Sequence, residues 1–566
     1  MTLPAMSLLL RLLIVVAILH PLCVLAQWPH PKKISVGKGT RSINVSKLKV
    51  TSDSHLPNDV NDAFERFLHS IKEKPLVGIN SPGGASGSQP GQGIAEVHMS
   101  LRGGGKSKRG QQPLTFDGLE ILGQYSEAYH LSIPATGAIR ISSNSSLGLL
   151  RALSTLETLT VADGRNKEAR YITKTPIEIE DEPAYPYRGF LLDVARNYLP
   201  MPAIKRQVDA ASLVKMNQMT LHITDSQSFP LQLPGKLKKL SEAGSYDGQV
   251  YTPEDMKGLI DYAAARGINV NVEIDMPGHT YQGVVQYDPS LIECPNKPDW
   301  NNWANEPPSG QLSLTNPKAK QYATDVIEAT AKLFPSSYFS TGTDEVNIKC
   351  YGAKDKKDID DKLNAFLKNA HAAVTKAGKT PMVWEEAVTD FPKTGKSLPP
   401  DTLVQTWISS DSVKKVLAAN DKVRVINCPL DRVYLDLGRG EWLQGAIGQS
   451  YSPYCTWGAI YTFDPLNGTT PANAHRVVGS QTLLWSEQSD ETVVDSLLWP
   501  RTAALAEVLW TGKNKEVNGK SSKLDPVEAQ PRLNELRKRL VKTKGVGATP
   551  LQPQWCDNHS CPNPFG

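Results

Sequence analysis

Asp344 and Glu345 stand side by side in the stretch YFSTGTDEVN, where an apolar, strand-like run gives way to small residues and then to two acids. Carboxylates that close resist ionising together, so the pair costs stability unless the two differ in role or in proton affinity. The alternative is an acidic first turn of a helix, complementing the helix dipole. Polar residues also close other apolar runs along the chain: Arg188 to Asp193, His222 to Asp225, Asp275 to His279, Trp384 to Glu386, Trp407, Tyr434 to Asp436 and Trp485 to Glu487. Capping explains this poorly, because tryptophans do not cap helices. Carboxylates with tryptophans suit carbohydrate chemistry, since aromatic rings stack on sugar faces and carboxyl groups protonate glycosidic oxygens. Two catalytic carboxylates that flank one sugar stand about 5–5.5 Å or about 6.5–9.5 Å apart. Neighbours in an extended chain point to opposite faces, so one member of the pair must do something else. No phosphate-binding glycine loop, HExxH or GxSxG pattern is present, and no cofactor or metal centre is expected.

The elements that must position these residues read as a barrel. From Tyr187 onward, buried strand alternates with helix about eight times: YRGFLLDVARN, MTLHITDSQS, INVNVEIDMPGH, the run before Asp344, PMVWEEAV, TLVQTWIS, then KVRVINCPL or the nearby VYLDL, and GSQTLLWSEQ. This predicts an α/β fold with a (β/α)8 barrel over 185–512, whose active site gathers at the carboxyl ends of the strands. Residues 27–180 predict a smaller α+β domain. It carries a Gly/Ser-rich loop at 80–112, where Lys108 and Arg109 read either as a dibasic processing site, closing a pro-segment over 27–109, or as a solvated basic loop. A C-terminal extension occupies 513–566.

Composition is that of a globular protein with more than one domain: 566 residues, 40% hydrophobic and 21% charged, with a net charge of +4. No basic block argues for nucleic acid. Residues 1–26 read as a cleaved secretory signal, with Arg11 before an apolar core from Leu12 to Leu19 and small residues near Ala26. That core is well short of the roughly 20 residues a membrane span needs, although an uncleaved anchor is the alternative. The expectation is a secreted chain, or one in a vacuole or lysosome-like compartment, with no membrane contact after cleavage. Outside the leader stand Cys294, Cys350, Cys428, Cys455, Cys556 and Cys561. Six cysteines allow 15 connectivities; nearest-neighbour pairing predicts Cys294–Cys350, Cys428–Cys455 and Cys556–Cys561. Wide spacing without a CxxC pair argues against zinc. Sequons at Asn44, Asn144, Asn467 and Asn558 are candidate glycan acceptors. Helices outside the barrel mouth leave room for a homodimer, but no segment identifies its interface.

The motifs YRGFLLDVARNYLP, LHITDSQSFP, EIDMPGH, STGTDEVN, VWEE and GSQTLLWSEQ…LWPRTAALAEVLW, in this order and spacing, resemble glycoside hydrolase family 20, the β-N-acetylhexosaminidases. The Gly-rich N-terminal region and the cysteine pairs are similar to the fungal secreted branch. The resemblance covers essentially the whole mature chain and implies exo-acting removal of terminal β-linked N-acetylglucosamine or N-acetylgalactosamine from chitooligosaccharides or glycoconjugates. It implies retention of configuration through an oxazolinium intermediate, the substrate's own acetamido oxygen being the nucleophile. Glu345 would be the general acid and Asp344 would hold the acetamido N–H. Arg188 would bind sugar hydroxyls, unless it only pairs with Asp193. Trp384, Trp407 and Trp485 would box the acetamido group and sugar face. Tyr434 would donate to the acetamido oxygen, Asp436 and Glu487 would bind hydroxyls, and Asp225 with His279 would back the general acid. A weakly catalytic sugar-binding homologue on the same scaffold is the alternative, which retained Asp344, Glu345 and Tyr434 disfavour. One departure stands out: the family usually shows Gly-Gly-Asp-Glu, whereas Thr343 precedes Asp344. A β-branched residue disfavours positive φ, so ordinary dihedrals are expected there.

Overall fold

The computed structural model describes residues 27–74, 76, 93–102, 126–162, 169–440, 442–443 and 453–557. The expected leader, the Lys108-Arg109 pair, most of the 80–112 segment, Asn558 and Cys561 lie outside the described residues.

Strands β1 (Lys33–Ile43), β2 (Lys49–Ser52), β3 (Glu96–Leu101), β4 (Tyr129–Ile133), β5 (Ile139–Ser143), β6 (Val161–Ala162) and β7 (Arg170–Asp181) form the N-terminal sheet. Along β7, Ile172, Ile177 and Ile179 face inward while Glu178 and Glu180 face solvent. This is the alternation of a sheet covered on one side. Helices Asn58–Glu73 and Ser146–Leu159 share one apolar core with that sheet through Phe64, Phe67, Leu149 and Leu156.

The barrel strands are buried throughout and so read as continuous apolar runs. They are β8 (Tyr187–Asp193), β9 (Gln218–Thr224), β10 (Asn269–Ile274), then, after a short hairpin of β11 (Ile292–Glu293) and β12 (Gln311–Leu312), β13 (Tyr338–Ser340), β14 (Thr380–Trp384), β15 (Leu403–Thr406), β16 (Arg424–Asn427) and β17 (Val477–Leu484). Eight parallel strands close in the order β10-β13-β14-β15-β16-β17-β8-β9. Of the two candidates for the seventh strand, KVRVINCPL supplies β16, while Tyr434 makes a single bridge to Leu483. The segment after the barrel does not stand apart: β18 (Asn514–Val517) and β19 (Lys520–Lys523) extend the N-terminal sheet beside β1. The helix Pro526–Lys544 then packs on the barrel helix Met201–Leu213.

Buried charges pin the two domains together at the amino end of the barrel. Glu127 accepts from Arg151 at 2.8 Å and from Arg188 at 2.6 Å, and Lys215 donates to Asp181 and to the Tyr129 hydroxyl, each at 2.9 Å. Burial raises Glu127's proton affinity, but Arg188 and Arg151 more than offset it and hold the carboxyl below its usual range.

Cys294 and Cys350 are disulfide-bonded, as expected. Cys556 is also disulfide-bonded; its expected partner, Cys561, lies outside the described residues. Cys428 and Cys455 are not paired: both are buried free thiols. Cys428 meets Gln481 and the Ile426 carbonyl, whereas Cys455 has Sγ 2.8 Å from the Arg432 carbonyl. Nearness in sequence did not reveal that the two thiols take different partners. Asn144 and Asn467 are exposed and Asn44 is half-buried. Alkylation of the denatured, unreduced chain followed by peptide mass mapping should label Cys428 and Cys455 and leave Cys294 and Cys350 unlabelled. Protection of the first two would restore the nearest-neighbour pairing.

Candidate active site

The polar strand ends converge on a cavity of about 400 Å³ at the carboxyl end of the barrel, lined by Arg196, His279, Asp344, Glu345, Trp407, Tyr434, Asp436, Trp485 and Glu487 among others. Clefts of about 560 and 430 Å³ lie on the N-terminal sheet and at the seam between its helices and the barrel, and neither presents a tryptophan. Size therefore does not choose the site; the convergence of residues that end or follow seven of the eight barrel strands does.

The turn after β13 decides how the two acids point. Gly342, Thr343 and Glu345 have φ of 58°, 73° and 53°, so the expectation of ordinary dihedrals at Thr343 is overturned. A positive φ at a non-glycine residue costs on the order of 1–3 kcal/mol and persists only where the surroundings impose it. Here the Thr343 N–H donates to Asp275 Oδ1 at 2.9 Å, and its hydroxyl donates to the Met276 carbonyl at 3.0 Å. At Gly342 an added Cβ would fall 2.1 Å from Asp275 Oδ1, so that carboxylate demands glycine.

Asp344 and Glu345 consequently meet different partners. Asp275 Oδ2 and Asp344 Oδ1 are buried without a donor, which one shared proton between the two carboxyls would satisfy. Burial, then the neighbouring Asp275, pushes Asp344 well above the usual carboxylate range, and burial raises Asp275 to about 7. Glu345 goes the other way. Burial opposes its ionisation, but His279 and Asn305 win and hold it below its usual value. His279 Nε2 lies 3.3 Å from Glu345 Oε2, an ion-pair contact without hydrogen-bond alignment, and 3.7 Å from Asp344 Oδ2. Its Nδ1 is 3.1 Å from Asp225 Oδ1, and despite burial the carboxylates raise its proton affinity well above normal. Asp275, His279 and Asp344 bring one potential ligand atom each within 4.8 Å of one another.

The arginine at the site is Arg196, not Arg188. Arg188 occupies the second position of β8, at the amino end of the barrel, and donates to Glu127 and to the carbonyls of Lys215 and Tyr185. It meets neither the cavity nor Asp193. Arg196 lies beyond the carboxyl end of β8, 2.9 Å from Asp225, 3.2 Å from Asp193, 3.3 Å from Glu306 and 3.9 Å from Glu487. Its Nε is buried without an acceptor, a donor aimed at no protein group. The Trp485 ring covers its guanidinium at 5.2 Å.

Three aromatic groups shape the wall: Tyr434 has its ring 6.1 Å from that of Trp407 and 6.4 Å from that of Trp485. Trp407 is fixed by its indole N–H on Glu386 at 3.0 Å and its backbone N–H on Glu385 at 2.6 Å. Trp384 is 1% exposed, with its ring 6.0 Å from that of Trp485 and its indole N–H buried without an acceptor. Asp436 accepts from the Trp485 N–H at 3.4 Å and is raised by burial to about 7; Glu487 is raised well above normal, again by burial first.

Sequence reasoning passed over Arg196, His222, Asp275, Asn305 and Glu306. Strand direction was the available signal for Arg196: it follows the run FLLD, whereas Arg188 precedes it. Asn305 and Glu306 sit in the irregular loop between β11 and β12, which carries no periodic signal.

Residues 185–513 match the glycosyl hydrolase family 20 catalytic domain, and residues 27–159 match a domain described as beta-acetyl hexosaminidase like. The chain belongs to glycosyl hydrolase family 20. It is a glycoside hydrolase. A β-hexosaminidase of Emericella nidulans is 30% identical over 94% of each chain. A chitooligosaccharidolytic β-N-acetylglucosaminidase of Bombyx mori is 31% identical over 94% of this chain and 87% of its own. Among solved structures, a Flavobacterium johnsoniae chitobiase superposes with a TM-score of 0.72 at 24% identity, over 92% of this chain and 73% of that one, a likeness of fold.

The two arginines should separate cleanly on mutation. R196A is expected to lower kcat/KM by about 100-fold or more, the scale of a lost buried charged contact. R188A is expected to destabilise by about 3–5 kcal/mol, because Glu127 loses half its compensation, while activity per folded molecule is retained. Steady-state kinetics paired with urea unfolding distinguishes them.

Proposed function

We propose that this family 20 enzyme is an exo-acting β-N-acetylhexosaminidase, removing a terminal N-acetylglucosamine or N-acetylgalactosamine with retention of configuration. The observation that carries the reading is the divergence of adjacent acids: Asp344 is buried against Asp275, which with burial raises its proton affinity, while Glu345 faces His279, which lowers its own. The names of the Emericella and Bombyx relatives support the same activity.

The chemistry follows from the geometry. An acetamido N–H that donates to Asp344 favours its carboxylate form, and Asp275, itself raised to about 7, can take the proton Asp344 gives up; the Tyr434 hydroxyl donates to the acetamido oxygen. That oxygen attacks C1 as Glu345 protonates the departing glycosidic oxygen, so the C1–O bond breaks while an oxazolinium ring forms. Water then attacks C1, giving its proton to Glu345, and the ring opens. Asp344 stabilises positive charge that develops on the acetamido nitrogen, an interaction strongest in the transition state. Glu345 is ionised in the free site; a sugar that excludes water removes part of the stabilisation of its carboxylate and so favours its acidic form. Arg196, Asp436 and Glu487 address ring hydroxyls, and the Trp407–Tyr434–Trp485 wall encloses the acetamido methyl. The leader-like N-terminus, the exposed sequons and the Cys294–Cys350 disulfide support passage through an oxidising, secretory compartment.

An aryl β-N-acetylglucosaminide should be hydrolysed and the matching aryl β-glucoside should not. Equal cleavage of both would require a protein nucleophile, and turnover of neither would favour the sugar-binding alternative. D344N should lower kcat by roughly 10²–10³, the scale of one lost transition-state contact.

A further inference from the structure

Beside the Asp225–His279 pair stand a second imidazole, His222, which reaches the lining of the same cavity, and a second buried acid, Glu273; the mechanism above assigns nothing to either. His222, on β9, places Nε2 2.8 Å from Asp225 Oδ2 and Nδ1 2.7 Å from Glu273 Oε1. Glu273, on β10, accepts through its other oxygen from Ser340 at 2.6 Å and from Gln405 at 3.2 Å. Three strands thus donate to one carboxylate. Asp225 accepts in turn from Arg196 at 2.9 Å and from His279 at 3.1 Å. Around the two carboxyls stand N–H donors and one hydroxyl, that of Ser340, which lies 2.6 Å from Glu273 and 3.5 Å from the Met382 carbonyl. Both nitrogens of His222 face carboxyl oxygens, and with both acids ionised only the doubly protonated ring can donate to both.

We infer that His222 is a fixed imidazolium, held by Glu273, that sets how firmly Asp225 retains the proton on His279 and thereby tunes the general acid Glu345. Asp225 is shared by three cations, His222, His279 and Arg196. A carboxylate whose charge is divided in this way holds the His279 proton less tightly, so His279 can donate more fully to Glu345 when the leaving group has taken the acid's proton. His222 itself keeps both hydrogens through the cycle; it acts by its charge. The ring faces Glu273 from β10, Asp225 at its own strand end, Asp193 from β8 and the edge of Trp485 at 5.0 Å. Around the outer end of the chain stand Arg196, Asp275, Asp344 and Asn305. The resulting row, Glu273–His222–Asp225–His279–Glu345, alternates in sign from the barrel interior to the cavity. Burial opposes the charge on His222, but Asp225 and Glu273 override it and raise the ring to about 9, in line with the hydrogen-bond count.

This inference rests on Glu345 being the general acid, and the test separates the two claims. E345Q is assayed first on aryl N-acetylglucosaminides with good and poor leaving groups; a loss that deepens for the poor leaving group establishes the acid. The pH dependence of kcat/KM is then measured for the wild type, H222Q and E273Q. Losing the nearby positive charge in H222Q makes the potential at His279 and Glu345 more negative. The basic limb should move up by about one pH unit, the scale of a unit charge one carboxylate away. In E273Q the amide oxygen serves Ser340 and Gln405, so the amide NH2 faces Nδ1 and leaves the ring neutral, donating only to Asp225. The limb should then move up, by less than in H222Q because a more distant negative charge is lost as well. Upward displacement in both variants supports a charge role. Unmoved limbs, or a downward displacement in either, overturn it, whatever happens to kcat. E273Q keeps the shape of the acid and its acceptor oxygen for Ser340 and Gln405, so the sign of its displacement decides the question should H222Q fail to fold.

Discussion

Two neighbouring carboxylates can serve one sugar only if the backbone between them abandons the extended conformation, and the catalytic end of this protein is organised around that bend. In a regular strand Asp344 and Glu345 would face opposite sides. The left-handed residues Gly342, Thr343 and Glu345 turn both toward the cavity. The bend has no stability of its own: Asp275, from the neighbouring strand end, leaves room only for glycine at 342 and accepts from the Thr343 N–H. The same Asp275 then raises the proton affinity of Asp344. One side chain thus fixes both the direction and the charge of its neighbour, and His279 does the converse for Glu345.

How much of this could be read from the chain follows from the range of each signal. Barrel strands were legible because a strand covered on both faces is a continuous apolar run, and the acids, Trp407, Tyr434 and Trp485 were legible because they end such runs. Arg188 was mistaken for Arg196 although both lie in YRGFLLDVARN; the error was one of strand direction, since the two flank opposite ends of β8. Trp384 ends β14 and meets Trp485 across 6.0 Å; a tryptophan at a strand end suits both a sugar box and the packing beside it, and sequence alone does not separate the two. The Cys428–Cys455 pairing failed because sequence separation does not fix where a thiol points: each is buried against a different backbone carbonyl. Thr343 shows the limit of local propensity. Its β-branch disfavours positive φ, and two tertiary hydrogen bonds outweigh it.

The barrel interior departs from the usual apolar layers. Glu273, His222, Gln405, Gln481, Tyr187, Gln218, Asn269 and Asn271 are all buried, linked by contacts such as Gln481 to Gln405 and Asn271 to Gln218. Such groups are tolerable only where they satisfy one another, because an orphaned buried polar atom costs about 1–3 kcal/mol. Once satisfied they are rigid, and rigidity matters here because the strand ends must hold charges in fixed places. At the opposite end, the buried pairs Glu127–Arg188 and Lys215–Asp181 tie the N-terminal sheet to the first two barrel segments. The strands β18 and β19 add a covalent return of the chain to that sheet, so the first barrel strand is held from both domains.

Arg196 shows how a ligand-free site of this kind stays solvent-competent. Four carboxylates surround it, and Asp193 and Asp225 belong to the rigid strand ends, whereas Glu306 arrives on the loop bounded by β11 and β12. The two aspartates are also committed to Ser486, Ala195 and His222, so they keep the guanidinium oriented. Glu306, at 3.3 Å from Arg196 and also 3.3 Å from Gln227, has a second donor of its own. A ligand that met Arg196 at its unpartnered Nε, or in place of Glu306, would leave both shorter contacts to the strand-end aspartates intact.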